Sequence, residues 1–534
     1  MPKNITPSVS LPRWARAELN LESTFKFNHP LQEARFYAVF TTPSKQERVV
    51  EGFWDGGNTW RVRIAPDELG EWQVALYLAN ANHQIIQSKS GAFVCRAAAG
   101  ETPFEVHGPI RLSANKRHLE HADGTPFFWL ADTAWNGPLR ASDEEWAIYL
   151  RERQRQKFSV VQWVATQWRA APTGDSAGQL AFSGNEQIAI NPAFFQRMDQ
   201  RVKTIARAGL LNAPVLLWAI GAGANPKIDP GFGLPEDQAI LLARYMLARW
   251  SSYPVVWILA GDGNYRGERA ERWRRIGQAV FGDHPHAPVA MHCGGQQWPA
   301  EEFRRESWLD ILGYQSGHGD SDDTWRWLAE GPPARDWSVE PRLFQLNLEP
   351  AYENHVAYHS QQPLTPAAVR RAVYWSLLNS PTAGVTYGGH GVWGWDDGSG
   401  PSVDHPNSGT PLPWQAALTM PGAEQMAHVG ELFAKLEWWR LRPAPLLIAE
   451  QPGAQTVGGT ILASQSETGD LVVIYMPTGG NVSVRTTNLR ANLQAAWFNP
   501  RTGERTRIGA VDNIQMGRFQ TPDLEDWVLL LMKS

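Results

Sequence analysis

The hydrophobic pattern of the chain changes twice along its 534 residues. From about residue 9 to 97, apolar and polar positions alternate with a period of two, as in Trp60-Arg-Val-Arg-Ile64. Turn residues such as Gly56-Gly-Asn58 separate these segments, and short alternating strands with regular turns predict an antiparallel β-sandwich. Alternation returns from about residue 444, for example in Asn481-Val-Ser-Val-Arg485. The tail therefore predicts a second, smaller antiparallel β domain.

Between these blocks, short continuous apolar runs alternate with stretches of helical period. Val255-Val-Trp-Ile-Leu-Ala260 is one such run, typical of a strand buried on both faces. Ser142, followed three positions later by Glu145, predicts a capped helix start, and Thr365-Pro366 predicts another. About eight strand–helix repeats over roughly 300 residues match a (β/α)₈ TIM barrel. An open, doubly wound sheet is the alternative, disfavoured because no glycine-rich phosphate loop follows an early strand.

These patterns predict an α/β protein of three domains. We expect an N-terminal β-sandwich over residues 1–100, a (β/α)₈ catalytic barrel over 101–443 and a C-terminal β domain over 444–534.

Composition narrows the classes of function. The 26 tryptophans are many for one chain, and aromatic planes are a common way to hold the apolar faces of sugars. The net charge of −5 is spread over interspersed acids and bases, so neither nucleic acid nor a membrane surface is an expected partner. Two distant cysteines predict no disulfide framework, and no cofactor is expected. The absence of an apolar leader predicts a cytoplasmic protein, although a secreted protein with its leader trimmed would look the same.

Two acids stand at the predicted ends of barrel strands. Asp262 follows the fourth strand and Glu349 follows the seventh. Polar residues at the C-terminal ends of parallel barrel strands converge on one mouth, so these acids are placed to flank a scissile bond. A separation of about 5–5.5 Å makes such a pair retaining and a wider one inverting, and the sequence gives no distance. Glu353, four residues after Glu349, is a second candidate for the partner acid.

Other polar and aromatic residues near the same strand ends are candidate substrate ligands. His292, His318 and His390 also raise the alternative of a metal site, but their spacing fits no compact ligand motif and none is expected. The predicted substrate-binding set is Asp132, Trp135, Gln167, Trp168, His292, Gln315, His318, Tyr352, Tyr387, His390 and Trp393.

Four segments of the chain resemble the apiosidase-like glycoside hydrolases. They are Asp123-Gly-Thr-Pro-Phe-Phe-Trp-Leu-Ala-Asp-Thr-Ala-Trp135, Val256-Trp-Ile-Leu-Ala-Gly-Asp262, Tyr314-Gln-Ser-Gly-His318 and Glu349-Pro-Ala-Tyr-Glu353. The resemblance implies a (β/α)₈ barrel that hydrolyses glycosides with retention. It also implies that the acid after strand four, Asp262, is the acid/base and that the acid after strand seven, Glu349, is the nucleophile.

The flanking blocks resemble domains that accompany such barrels. The segment around Trp60 is similar to the β-sandwich often fused ahead of them, and Ala496-Trp-Phe-Asn-Pro-Arg-Thr-Gly503 is similar to a collagen-binding-type β domain that commonly follows. The chain has Ala260-Gly-Asp262 where the family often has Gly-Gly-Asp. Residues 167–191 and 396–413 are particular to this chain, so the substrate does not carry over with the chemistry.

The sequence thus predicts a retaining glycosidase that acts from the end of a glycan on a pentose, furanoside or related unit. A non-catalytic carbohydrate-binding protein and a metal-dependent barrel hydrolase or isomerase are the alternatives. The sugar, its linkage, exo or endo action and the roles of the β domains stay open, as does the oligomeric state, a homo-oligomer included.

Overall fold

The computed structural model describes residues 9–221, 225, 228–282, 285–403, 405–451, 456–511 and 516–533. Eight parallel strands form its central sheet, in the spatial order β7-β6-β5-β4-β3-β2-β1-β8. They are β1 (Trp129–Thr133), β2 (Val160–Val164), β3 (Leu211–Trp218), β4 (Trp257–Gly261), β5 (Val289–Met291), β6 (Ile311–Gln315), β7 (Phe344–Glu349) and β8 (Gly384–Tyr387).

The order of the strands closes the sheet into a barrel. Because β8 pairs with β1 and the others follow in chain order, the prediction of a (β/α)₈ barrel is confirmed over an open sheet. A bridge between Glu353 and Gly389 joins the segments that follow β7 and β8. Each strand is followed by a helix that packs against the barrel: α1 (Asp143–Arg155), α2 (Pro192–Arg207), α3 (Glu236–Trp250), α4 (Glu268–Phe281), α5 (Ala300–Phe303), α6 (Asp322–Glu330), α7 (Pro366–Leu378) and α8 (Pro421–Ala434). The connections after β1, β3, β6 and β8 also contain short helices, at Gly137–Arg140, Pro230–Gly233, Pro332–Asp336 and Trp414–Ala417.

The N-terminal block is the predicted β-sandwich. Large apolar side chains from its two sheets, including Phe40, Trp60 and Trp72, share one core. One sheet contains Ser10–Pro12, Ile85–Arg96, Gly70–Asn80, Ala34–Thr41 and Glu47–Glu51, and the other contains Ala17–Glu22, Thr59–Ile64 and Phe53–Trp54. A small sheet of Ile110–Leu112, Leu119–His121 and Pro126–Phe127 then leads directly into β1.

The C-terminal block is also an antiparallel β domain, as predicted. Alternation along its strands divides their side chains between two cores: Val473 and Leu530 pack with the barrel, whereas Val472 and Leu531 pack within the domain. The main sheet contains Leu441–Pro443, Leu462–Ser466, Leu471–Met476, Trp527–Met532, Gln494–Phe498 and Arg505–Ala510. Asn481–Val484 pairs with Gly517–Gln520 beside it.

Buried ion pairs attach both β domains to the barrel. Arg63 of the sandwich binds Asp199 of α2 at 2.6 Å, and Asp199 also binds the fully buried Arg249 of α3. On the other side, Arg370 of α7 makes two hydrogen bonds to Asp526 of the C-terminal domain, at 2.8 and 2.7 Å. Such pairs fix the orientation of the domains, because separating either partner would leave a buried charge unpaired.

Two further features concern the surroundings of the barrel. A cavity of about 1070 Å³ lies between the sandwich and α3, and it contains none of the predicted site residues. In the part of the chain that the structure describes, no helix is both long and apolar enough to cross a membrane.

Candidate active site

Asp262 stands immediately after β4 in a strained backbone conformation. Its φ is +56°, which costs a residue other than glycine of the order of 1–3 kcal/mol. The preceding residue has to be small, because a Cβ on Gly261 would lie 2.7 Å from the ring of Trp218 and 2.8 Å from Val215. The Asp262 N–H donates to Nδ1 of His292 at 3.3 Å. The buried strand thus delivers a carboxylate to the mouth of the barrel in one fixed orientation.

Glu349 is the last residue of β7, and two histidines hold its carboxylate. Nε2 of His318 lies 2.9 Å from Glu349 Oε1, and Nε2 of His292 lies 3.1 Å from Oε2. Since Nδ1 of His292 accepts the Asp262 N–H, the ring of neutral His292 carries its proton on Nε2, facing Glu349. His292 therefore links the backbone of one acid to the side chain of the other.

The surroundings move the pKa values of the two acids in opposite directions. Burial raises the pKa of Glu349, but hydrogen bonds from His292 and His318 outweigh it and hold the pKa well below the usual carboxylate range. Burial and the negative charge of Glu349 raise the pKa of Asp262 to about 6, against the opposing charge of Arg169. One acid is therefore kept ionised and the other is protonated in weakly acidic solution.

Beyond His292 and His318, two more predicted ligands contact the histidines that hold Glu349. The ring of Trp135 meets His292 edge-on at 5.5 Å between centroids, and the ring of Tyr352 lies 4.4 Å from that of His318. His390 and Trp393 lie parallel at 6.1 Å and are connected to His318 through the ring of His355, 5.6 Å from that of His390. Burial lowers the pKa of His390 to about 4.

Asp132 and Tyr387 are corrected from substrate ligands to residues behind the barrel wall. Side chains alternate along β1, and Asp132 points outward to α1, where it accepts hydrogen bonds from Tyr149 and Arg153, both at 2.8 Å. Tyr387 also points outward and donates to Glu353 at 2.6 Å. Both side chains point away from the mouth and are fully buried among these partners, so neither meets a ligand there.

Three further predicted ligands have mainly local contacts. Gln167 is fully buried and accepts a hydrogen bond from the Ala181 N–H within the loop after β2. Trp168 donates to Asn136 at 2.6 Å and is 1% exposed, so it too braces that loop. Gln315 ends β6, pairs with Glu349 of β7 and is as nearly buried as Glu349. The structure therefore gives Gln167 and Trp168 a part in bracing the loop, whereas Gln315 stays a predicted ligand.

Glu353 has contacts that fully occupy its carboxylate. One oxygen accepts from the Tyr387 hydroxyl, and the other accepts from the Gly422 N–H at 2.8 Å, at the start of α8. Burial raises the pKa of Glu353, and it is 3% exposed. Its position at a helix N-terminus, away from the two histidines on Glu349, favours Glu349 as the partner of Asp262.

Several residues at the mouth escaped the sequence prediction. Arg169 lies 3.5 Å from Asp262, and Tyr358, with 53% of its surface exposed, packs edge-on against His318. His355 stacks on His318 at 4.3 Å, and its Nε2 lies 3.1 Å from Nε2 of His405. Histidines recur after the sixth, seventh and eighth strands, and this recurrence could have indicated a cluster. Because these histidines are far apart in sequence, their contact in the structure could not be read from the sequence directly.

The three histidines of the metal alternative do not converge on one point. His292 and His318 both face Glu349, whereas His390 binds the Asn354 carbonyl and the Ser408 hydroxyl. Over the described ranges, no group of three or more His, Cys, Asp or Glu residues is arranged to hold a metal ion. The geometry fits a carboxylate held by imidazoles.

Comparison with known families agrees with this geometry. Residues 113–440, more than half of the chain, match the model of the apiosidase-like catalytic domain. The chain belongs to the apiosidase-like family. It is therefore a glycosidase, and its substrate is a carbohydrate. Residues 10–78 match a domain of unknown function, and residues 443–532 match a "putative collagen-binding domain of a collagenase". No curated protein matches the chain.

Solved structures show the same fold. A glycoside hydrolase, 24% identical, covers 82% of this chain and 99% of its own with a TM-score of 0.70. A family 5 glycoside hydrolase from Bacteroides vulgatus, 21% identical, covers 82% and 95% with the same score. A second protein from Bacteroides vulgatus, described as a "putative glycoside hydrolase", is 16% identical and covers 99% of this chain and all of its own, with a TM-score of 0.73. The fold thus recurs at low sequence identity.

Proposed function

We propose that this protein is a retaining, exo-acting glycosidase that releases a pentofuranose or related pentose from the end of a glycan. The observation that carries the proposal is the opposite displacement of two pKa values in one site. The pKa of Asp262 is raised to about 6, and that of Glu349 is held below the usual range. Two carboxyl groups whose environments separate their pKa values are the pattern of an acid and an ionised partner.

The contacts of Glu349 favour a nucleophile over a general base. An inverting enzyme needs its second carboxylate to take a proton from water, and a carboxylate with a depressed pKa is a poor acceptor. A nucleophile needs only to be ionised and fixed in position, which the hydrogen bond from His318 and the nearby Nε2 of His292 supply.

The mechanism follows from these roles. Asp262 gives its proton to the glycosidic oxygen while Glu349 attacks the anomeric carbon, so that the bond to the leaving group breaks as the bond to the Glu349 oxygen forms. Asp262, now ionised, takes a proton from water, and the water oxygen displaces Glu349 from the anomeric carbon. The released sugar has the configuration of the substrate.

Enclosure of the two acids supports action at a chain end. The side chain of Asp262 is 17% exposed and that of Glu349 is 9% exposed, and the rings of Tyr352 and Trp135 pack on the histidines beside them. A groove for a continuous glycan would expose the acids along its length. The family name refers to apiosides, which are pentofuranosides, and this supports the substrate class.

Aryl glycosides test the proposal directly. We expect turnover of at least one nitrophenyl pentofuranoside or pentopyranoside in a panel that also includes hexosides. The Asp262→Asn variant should still release nitrophenol rapidly in the first turnover, because this leaving group departs without a proton, and should fail to cleave alkyl glycosides. Steady-state turnover should fall on both substrates, because hydrolysis of the glycosyl-enzyme also needs Asp262 as its base. First-turnover cleavage that is equally slow on both substrates would contradict the proton-donor role. A panel without any turnover would count against the proposed substrate class.

A further inference from the structure

A second cavity opens beside the candidate active site. It has a volume of about 530 Å³ and lies between the loop after β2 and the segment after β8, next to the start of α1. Ligand sites commonly occupy about 300–1,000 Å³. Thr173–Ser176 and Asp397 on its wall fall within residues 167–191 and 396–413, the two regions expected from the sequence to be particular to this chain.

The tryptophan on one wall of this cavity is held in a strained conformation. Trp395 has a φ of +56°, which is a genuine outlier for a bulky residue. Its ring stacks on that of Trp414 at 4.4 Å, with 16° between the planes, and also meets Tyr149 edge-on. Such strain persists only where surrounding contacts enforce it, and it concentrates at functional sites. Asp262 has the same φ at the end of β4.

The rest of the lining is polar, with an excess of negative charge. Among the described residues of the wall, Arg140 is the basic side chain, and the acids are Glu145, Asp175 and Asp397. Arg197 pairs with the buried Asp175, which leaves Glu145 and Asp397 against Arg140. Gln415 and the hydroxyl of Thr173 add groups that both donate and accept hydrogen bonds. Carboxylates and amides accept hydrogen bonds from sugar hydroxyls, and aromatic rings pack against the apolar faces of sugars. The excess of carboxylates disfavours an acidic sugar.

The same loop serves the cavity and the catalytic acids. Arg169 contacts Asp262, and Thr173, four residues later, lines the cavity. Four residues extend over at most about 14 Å, and the Arg169 side chain spans the remaining distance to Asp262, so one oligosaccharide can reach both places. Between them, the Asn136 side-chain amide donates to the carbonyls of Ala170 and Gly394, and so joins the two segments into a fixed wall.

We propose that this cavity is a second carbohydrate-binding site, which takes a neutral sugar unit of the glycan whose end occupies the catalytic site. This proposal rests on the proposed function in one respect, that a single glycan occupies both the catalytic site and the cavity. The cavity is a binding site and takes no part in the chemistry, so its loss weakens recognition of extended glycans and spares small substrates.

Binding is best measured with hydrolysis blocked, in the full-length Glu349→Gln variant. The probes are xylotriose, arabinotriose, cellotriose, galactotriose and mannotriose, with trigalacturonate as the acidic counterpart, observed by saturation-transfer NMR. We expect at least one neutral trisaccharide to bind. In that background, Gln415→Ala should weaken its binding about fivefold by removing a hydrogen bond, and Thr173→Trp should abolish it by filling the cavity.

Both substitutions lie at exposed positions, so folding is retained, and Gln278→Ala on α4 is the matched control. In the otherwise native enzyme, Gln415→Ala should leave kcat/KM on an aryl glycoside unchanged. Binding of trigalacturonate in preference to the neutral probes, binding that is indifferent to both cavity variants, or no binding at all would overturn the proposal. Because the binding assay needs no turnover, it measures binding to the cavity even if the proposed hydrolysis is not observed.

Discussion

The barrel carries two pairs of carboxylates near the ends of its strands, and only one pair faces the mouth. Asp262 and Glu349 lie together among histidines, with pKa values displaced in opposite directions. Asp132 and Glu353 lie behind the wall, where Arg153, Tyr149, Tyr387 and the start of α8 satisfy them. The pleat of the strand, or the loop that follows it, sets the direction of each side chain. The difference between the pairs shows that this direction determines whether a carboxylate lies in the candidate active site or stabilises the fold.

The largest expected loss of activity comes from a substitution in the pair that faces the mouth, Asp262 and Glu349. Glu349→Ala should lower kcat/KM by about 10⁴-fold or more, because the nucleophile acts as one unit with its acid partner. Urea unfolding of the variant should match the native protein to within about 1 kcal/mol, since the change leaves no opposite charge buried without its partner. Near-normal turnover in Glu349→Ala would contradict the catalytic role of the pair that faces the mouth.

Substitutions in the pair behind the barrel wall, Asp132 and Glu353, should lower stability more than activity. Asp132→Ala leaves the fully buried Arg153 without its carboxylate, and we expect a loss of about 3–5 kcal/mol in the free energy of unfolding, measured in urea. The folded fraction should keep its kcat within about tenfold. The double variant Asp132→Ala/Arg153→Met removes both charges and should recover much of the stability. A loss of kcat as large as that of Glu349→Ala would place Asp132 in the chemistry.

The sequence was sufficient for the architecture and for the positions of the two candidate acids at strand ends, but it was insufficient for the contacts around them. Buried apolar runs ending in an acid predicted the strands, and their count predicted the barrel. Asp132 misled because its position at a strand end looks the same whether the side chain points inward or outward, and a one-residue difference decides it. The histidine contacts on Glu349 join loops distant in sequence, and Arg169 reaches Asp262 from a loop with no recognisable pattern.

The histidine beside the nucleophile gives a smaller effect. His318→Ala removes a hydrogen bond that lowers the pKa of Glu349, so this pKa rises and the acid limb of kcat/KM moves to higher pH. At the optimum we expect a loss of about 10²-fold, as for other donors aimed at a reacting group. His390→Ala, which removes a histidine bound elsewhere, should leave the acid limb in place. A similar movement in both variants would contradict the role of His318.

The smallest expected effect is a shift in the alkaline limb of the pH profile of kcat/KM. Because Asp262 must be protonated to act and its pKa is about 6, kcat/KM should fall above pH 6, approaching tenfold per unit. The positive charge of Arg169 lowers the pKa of Asp262, so Arg169→Gln should raise it and move the limb to higher pH. A kcat/KM profile on one alkyl glycoside, whose leaving group needs the proton of Asp262, suffices to measure this. A limb that stays in place or moves to lower pH would argue against Asp262 as the acid.

The most direct test of the central claim, that Asp262 and Glu349 act as proton donor and nucleophile, is the configuration of the first product. Proton NMR during the first minutes of turnover, before mutarotation, reports the anomer released from a substrate of known configuration. The account predicts the same anomeric configuration as in the substrate, because two successive displacements pass through a bond to Glu349. Release of the inverted anomer would contradict it, since Glu349 would then act on water and not on the sugar.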